Sequence, residues 1–240
     1  MRLLTLRLAL CFLLIFAIGA RADEDAEDIL ASDSRATTEF EKQIAAAPPG
    51  ADVPQELCIF LHRRGVAYMR LGRYDQALAD LKQALGLKQT ASPELWCDRW
   101  RLQGDIHAAL YSTGDWLLLT DYAQSISDEY KTSNQWHYFS TQLWMVDAQI
   151  NLANLRKADE AFQRAGEVLP ALRQSKAWAI YGTNTLGRYS SYAAQMQALR
   201  GNYVEAERFR RQALGYAREF LDTASARRSP EHLDISLALG

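Results

Sequence analysis

Between Tyr74 and Leu85 the apolar and small residues Tyr74, Ala77, Leu78, Leu81, Ala84 and Leu85 recur at steps of three and four, with polar residues between them. That spacing predicts an amphipathic helix. Upstream, Leu57, Leu61, Gly65, Tyr68 and Leu71 repeat it, and Gly72 stands between the two runs. The pattern predicts two helices joined by a tight turn at Leu71-Gly72-Arg73. Gly65 and Ala77 lack bulk where antiparallel axes would cross, which lets the helices approach, with Tyr68 wedged beside them.

One helical hairpin cannot bury both of its sides, so it calls for neighbours of the same shape. GRYDQALADLKQAL at 72–85 returns as GNYVEAERFRRQAL at 201–214, an offset of 129 with Gly, Tyr, Ala, Gln, Ala and Leu in the same places. Between them, Gly114 follows Gly72 at an offset of 42, Arg156 follows at 42 again, and Gly201 at a further 45. Four turns at near-constant spacing predict an all-α repeat architecture, and no segment shows a convincing strand pattern.

The first copy resembles the tetratricopeptide repeat in Gly65, Tyr68, Ala77 and Ala84, and the fourth in Ala194, Gly201, Tyr203, Ala206 and Ala213. The middle copies depart from it, with Leu119 and Arg156 where alanine and glycine are expected. A spacing near 42 exceeds the usual ~34 of the family and implies helices about one turn longer each, as in the long-helix variants of kinesin light chains and those ahead of CHAT-type peptidase domains. The resemblance implies a right-handed α-solenoid of antiparallel helix pairs, with repeats at about 55–91, 92–132, 133–173 and 174–228. In that family the first helices line a peptide-binding groove. Carried over, the lining is His62, Val66, Met69 and Arg70, then Arg101, Tyr111 and Ser112, then Leu143, Ile150 and Asn154, then Arg188, Ser191 and Gln195. Arginine, aromatic and amide groups together suit a peptide with acidic and apolar side chains. The two-carboxylate clamp of chaperone-binding members needs lysine and asparagine where His62 and Val66 stand, which disfavours chaperone C-termini.

The N-terminus carries a different signal. MRLLTLR is basic, LALCFLLIFAIGA is an apolar run of thirteen, and Ala20-Arg21-Ala22 offers small residues before Asp23. This is the pattern of a secretory signal peptide over 1–22, too short to span a bilayer as an anchor. Export to the bacterial periplasm or cell envelope is the expectation, with no membrane span after cleavage. Removal of three arginines leaves 24 basic and 29 acidic residues, a formal charge of 24 − 29 = −5. Arg208, Arg210 and Arg211 alternate with Glu205 and Glu207 on one helix, a solvated face rather than a nucleic-acid surface. Residues 23–54 form an acidic leader and a short capping helix carrying Phe40 and Ile44, with Thr38 and Glu41 as its capping box. AAAPPGADVP then breaks the chain.

Residues in catalytic or metal-binding patterns are scarce along the chain. His62, His107, His137 and His232 fall in different repeats, without cysteine or carboxylate at metal-ligand spacing. Neither a Gly-rich phosphate loop nor GxSxG nor HExxH occurs, so no cofactor, metal site or enzymatic activity is expected. Trp96, Trp136 and Trp178, at successive offsets of 40 and 42, predict a packing anchor between adjacent repeats, and Trp116 takes the slot of Tyr74. Cys58 and Cys97, at an offset of 39, are candidates for a disulfide in an oxidising compartment, the alternative being two buried thiols. The reading is an exported scaffold for protein interactions. Its rivals are the non-catalytic front of a larger exported enzyme or sensor, such as a CHAT-type peptidase, and a plain structural spacer. Ser229-Pro230-Glu231 repeats Ser92-Pro93-Glu94, expected to open the first helix of the second repeat, so 229–240 are expected to begin a further, truncated repeat.

Overall fold

The computed structural model describes residues 34–50, 52–87 and 97–227, and these contain nine helices and no strand. In chain order they are α1 (34–45), α2 (Pro54–Arg70), α3 (Tyr74–Gly86), α4 (Arg99–Thr113) and α5 (Trp116–Tyr130), followed by α6 (Gln135–Asn151), α7 (Leu155–Gln174), α8 (Trp178–Leu199) and α9 (Tyr203–Arg227). The chain divides within α4 into two compact units, one ending at Ala109 and the other beginning at Leu110. The expected signal peptide, Ser92-Pro93-Glu94, Trp96 and the expected fifth repeat lie outside the described residues.

In the first unit α2 packs against α3. A Cβ placed on Gly65 would lie 2.8 Å from Leu81 Cγ and 3.4 Å from Ala77 O, so the close approach of these two helices depends on the missing side chain. Leu61, Ala77, Leu81 and Ala84 are buried around it. Arg64 Nε and Nη2 donate to Asp80 at 2.6 and 2.8 Å, a bidentate pair that stitches α2 to α3 and raises the arginine's pKa through its bonds to that carboxylate. Arg73, in the turn after α2, donates to Glu41 of α1 at 2.5 Å.

The turns between paired helices share one physical solution. Arg73 N donates to Tyr68 O and Gly72 N to Met69 O; Asn154 N to Gln149 O and Ala153 N to Ile150 O; Asn202 N to Gln197 O and Gly201 N to Ala198 O. Each is the double bond of a Schellman motif, which needs a left-handed residue just past the helix. Gly72 (φ 70°) and Gly201 (φ 80°) supply it without strain, and Gly114 takes a similar conformation (φ 73°). In the third pair the left-handed residue is Ala153 (φ 55°), not Arg156, which lies within α7. The expected turn position was therefore displaced, because a search for glycine passes over an alanine forced into the same backbone.

One expected helix start also moves. Thr38 lies inside α1, where its hydroxyl donates to Ser34 O at 2.9 Å instead of capping the helix. α4 begins at Arg99: Cys97 is left-handed (φ 69°), and Asp98 Oδ1 caps the helix by accepting from Arg101 N at 2.9 Å.

In the second unit α6 is the most enclosed element. Phe139 and Leu143 of α6 join Ala165, Leu169 and Leu172 of α7 in one core, and α8 closes it with Trp178, Tyr189 and Tyr192. Tyr189 stacks on Phe162 with ring centroids 4.5 Å apart, and Trp136 lies 6.1 Å from Trp178, so these tryptophans pack between successive repeats. Leu119, where the family pattern has alanine, is fully buried. Trp116 sits edge-on to Tyr111 at 5.1 Å.

Candidate functional site

Of the groove residues expected in the first unit, Val66 and Met69 are half-buried, Arg70 is exposed in the last turn of α2, and Arg101 is half-buried near the start of α4. His62 departs from the expectation of a surface or groove residue. It is fully buried on α2, and a histidine reaching inward at that depth lines no surface. Its Nδ1 accepts from Cys97 N at 3.0 Å, and its Nε2 lies 2.6 Å from Asp105 Oδ2. A backbone N–H can only donate, so Nδ1 carries the lone pair and Nε2–H donates to the carboxylate. Cys97 and Cys58 form a disulfide with Cα atoms 5.8 Å apart. Disulfide and imidazole together bind α2 to the start of α4. The imidazole meets a backbone N–H of Cys97, and the sulfur is bonded to Cys58, so the three side chains make a clamp rather than a nucleophile and its base.

In the second unit the expected residues divide. Ser112 and Gln195 are exposed, Leu143 is fully buried in the core, and Ile150 is half-buried. Asn154 is a helix cap: its side chain accepts from Lys157 N at 3.3 Å, which occupies the amide oxygen meant for a ligand. Tyr111 and Arg188 both interact electrostatically with a residue outside the expected lining, Asp147. Tyr192 OH donates to Asp147 Oδ2 at 2.5 Å, and Arg188 Nη1 donates to Ser140 Oγ at 3.2 Å.

The electrostatics follow from burial. Desolvation raises the pKa of Asp147, opposed by the Tyr192 hydrogen bond and the Arg188 charge. Desolvation lowers that of Arg188 and lifts Tyr192 well above the ordinary tyrosine range. Tyr111 is also raised, by burial first and then by the Asp147 charge. Of the five N–H groups of Arg188 one is used on Ser140, and Tyr111, on which the Asp147 charge also acts, is 43% exposed. Such a site can take a carboxylate or amide oxygen from outside.

A sequence signal for this cluster existed. Asp147 is the one acidic or basic residue of α6 apart from a histidine, and Arg188 is the one charged residue of α8. A lone charge on an otherwise neutral helix has to be matched, and these two stand at an offset of 41, close to the repeat period. Among the described residues there is no group of three metal-ligating side chains, and no helix long and apolar enough to cross a membrane.

Paired helices, Schellman turns and the Gly65–Leu81 contact meet an independent comparison here: residues 59–90 match the tetratricopeptide repeat family model. The chain has a TPR-like helical-repeat fold. Among solved structures, the nearly identical TPR-like repeats of a Podosopora anserina putative kinesin light chain superpose with a TM-score of 0.53 at 16% identity. The match covers 83% of this chain and 90% of that one, and at such identity it concerns the fold alone. No curated protein matches the sequence. Within the TPR-like frame Asp147 and Arg188 lie on the first helices of successive pairs, the helices that carry the expected lining.

Proposed function

We propose that this TPR-like chain is an exported, non-enzymatic scaffold that binds a protein partner through side chains of its first helices, with Arg188 and Tyr111 receiving an acidic or amide group. The observation that carries the reading is the electrostatic attraction between two lone, half-buried charges, Asp147 and Arg188, with the exposed Tyr111 also feeling the Asp147 charge. A purely structural spacer would bury apolar side chains there at less cost in desolvation. Export is supported by the basic and apolar pattern of residues 1–22, and by a cysteine pair suited to an oxidising compartment. The acidic preference is supported by Arg70, Arg101 and Arg188 among the lining positions.

The test is affinity purification from an envelope extract with quantitative mass spectrometry, comparing the native chain with a variant carrying Tyr111→Glu and Arg70→Glu. Loss of a reproducible set of partners from the variant is expected. An identical set on both chains would refute the scaffold reading and favour the spacer.

A further inference from the structure

α8 and α9 enclose a cavity of ≈ 550 Å³ that no described residue fills. From α8 it is lined by Asn184, Gly187, Arg188 and Ser191, and from α9 by a stripe that includes Arg210, Ala213, Leu214, Ala217 and Leu221. Both sets follow the three- and four-residue steps of one helix face, so the cavity is a groove running along a helix pair. At its floor a Cβ on Gly187 would touch Tyr216 Cβ at 3.4 Å, and the small side chains of Ala213 and Ala217 keep it deep. Leu214 and Leu221 are 51% and 44% exposed. The preceding pair shows what such a face holds: α6 and α7 receive α8, whose Tyr189 stacks on Phe162.

The polar groups define the occupant. Two arginines and no carboxylate line the groove, and Arg210 has no ion pair among the described residues, unlike Arg208 and Arg211 on the same helix, which are held by Glu205 and Glu207. Near the opposite end, Asn184 Oδ1 is buried with no hydrogen-bond partner among the described residues, an acceptor open to a donor from a bound group. We infer that this groove docks an amphipathic helix of a partner protein, its apolar stripe on Leu214 and Leu221, a carboxylate at Arg210 and an N–H or O–H donor at Asn184. The inference rests on the scaffold reading and gives it a second contact surface, which adjoins the first at Arg188.

The probe is a fluorescein-labelled synthetic amphipathic helix of ~14 residues, long enough to cover the ~15 Å from Arg210 to Phe220, with leucines on one face and two glutamates at one end. Its control has lysines in place of the glutamates. Anisotropy titrations of residues 23–240 are expected to show the glutamate helix binding roughly tenfold tighter than the lysine helix, and Arg210→Glu, an exposed substitution that leaves the fold intact, reversing that preference. The Leu214 and Leu221 methyl resonances should shift with the same midpoint. Equal binding of both helices, or a preference unchanged by Arg210→Glu, overturns the proposal. So does binding seen only after residues 229–240 are deleted, which assigns the groove to the chain's own end. Either failure leaves the pull-down at Tyr111 and Arg70 standing, so the two readings fall separately.

Discussion

Two identical substitutions in one unit should move stability in opposite directions. Replacing a helix-interior glycine by alanine gains about 0.5–1 kcal/mol, because alanine loses less backbone freedom on folding. At Gly104, inside α4, an added Cβ meets nothing within 4 Å, so Gly104→Ala should keep the whole gain. At Gly65 the same methyl would lie 2.8 Å from Leu81 Cγ and 2.9 Å from Cδ2. Leu81 is fully buried, and Cγ is its branch point, so the residue cannot swing one free end away; both methyls move into neighbours already in contact. Overpacking of that kind costs about 1–3 kcal/mol, which outweighs the helix propensity and leaves Gly65→Ala about 1 kcal/mol less stable than the native chain. Urea unfolding followed by far-UV circular dichroism measures both variants in the same transition, and a difference of about 2 kcal/mol between them is expected. If Gly65→Ala stabilises as much as Gly104→Ala, the α2–α3 approach does not depend on the missing side chain, and the account of this hairpin is wrong.

Opening the Cys58–Cys97 disulfide releases a loop whose ends have a sequence separation of 39, which corresponds to roughly 4 kcal/mol of chain entropy. Cys58→Ser with Cys97→Ser should lose about that much in urea, and thiol labelling of the unreduced, unfolded native chain should find neither cysteine free; equal stability of oxidised and reduced chains would contradict it. Asp147 has its pKa raised by burial, with Arg188, Tyr192 and Tyr111 facing it. The folded chain therefore holds that proton to higher pH than the unfolded chain, and this group's contribution falls as pH rises from the ordinary carboxylate value of 3.8 through the raised one. Asp147→Asn keeps an acceptor for Tyr192 and should remove that decline, so the native and variant curves of stability against pH separate over this window; parallel curves would show that burial does not govern the group.

What could be read along the chain was whatever is set within one hairpin. The helices of the first pair, the turn at Gly72 and the bare surface at Gly65 follow from periods of three and four and from the size of a side chain, and the hairpin has them in those places. Ala153 escaped because the Schellman turn is defined by backbone conformation, and glycine is only its least strained occupant. Position 62 failed for a different reason. A groove position carried over by spacing assumes that the next first helix begins in register, but α4 starts at Arg99, after a left-handed Cys97 that turns its backbone N–H onto the imidazole. The residues that face a neighbouring helix are thus decided by where that neighbour starts, and neither period nor propensity on one helix contains that information.

The electrostatic attraction between Asp147 and Arg188 lies between these cases. Hydrophobic periodicity is blind to a single charge, since one polar residue barely alters the pattern of a helix that is buried on most sides. The desolvation of that charge supplies the missing criterion. An enclosed helix with ten buried residues can hold one carboxylate only if a neighbouring helix brings it hydrogen bonds or opposite charge. In a repeat chain the neighbour is found one period away, where Arg188 is the sole charged residue of α8. Lone charges on otherwise neutral helices, compared at the repeat spacing, therefore locate inter-repeat contacts that the consensus positions of the family do not include.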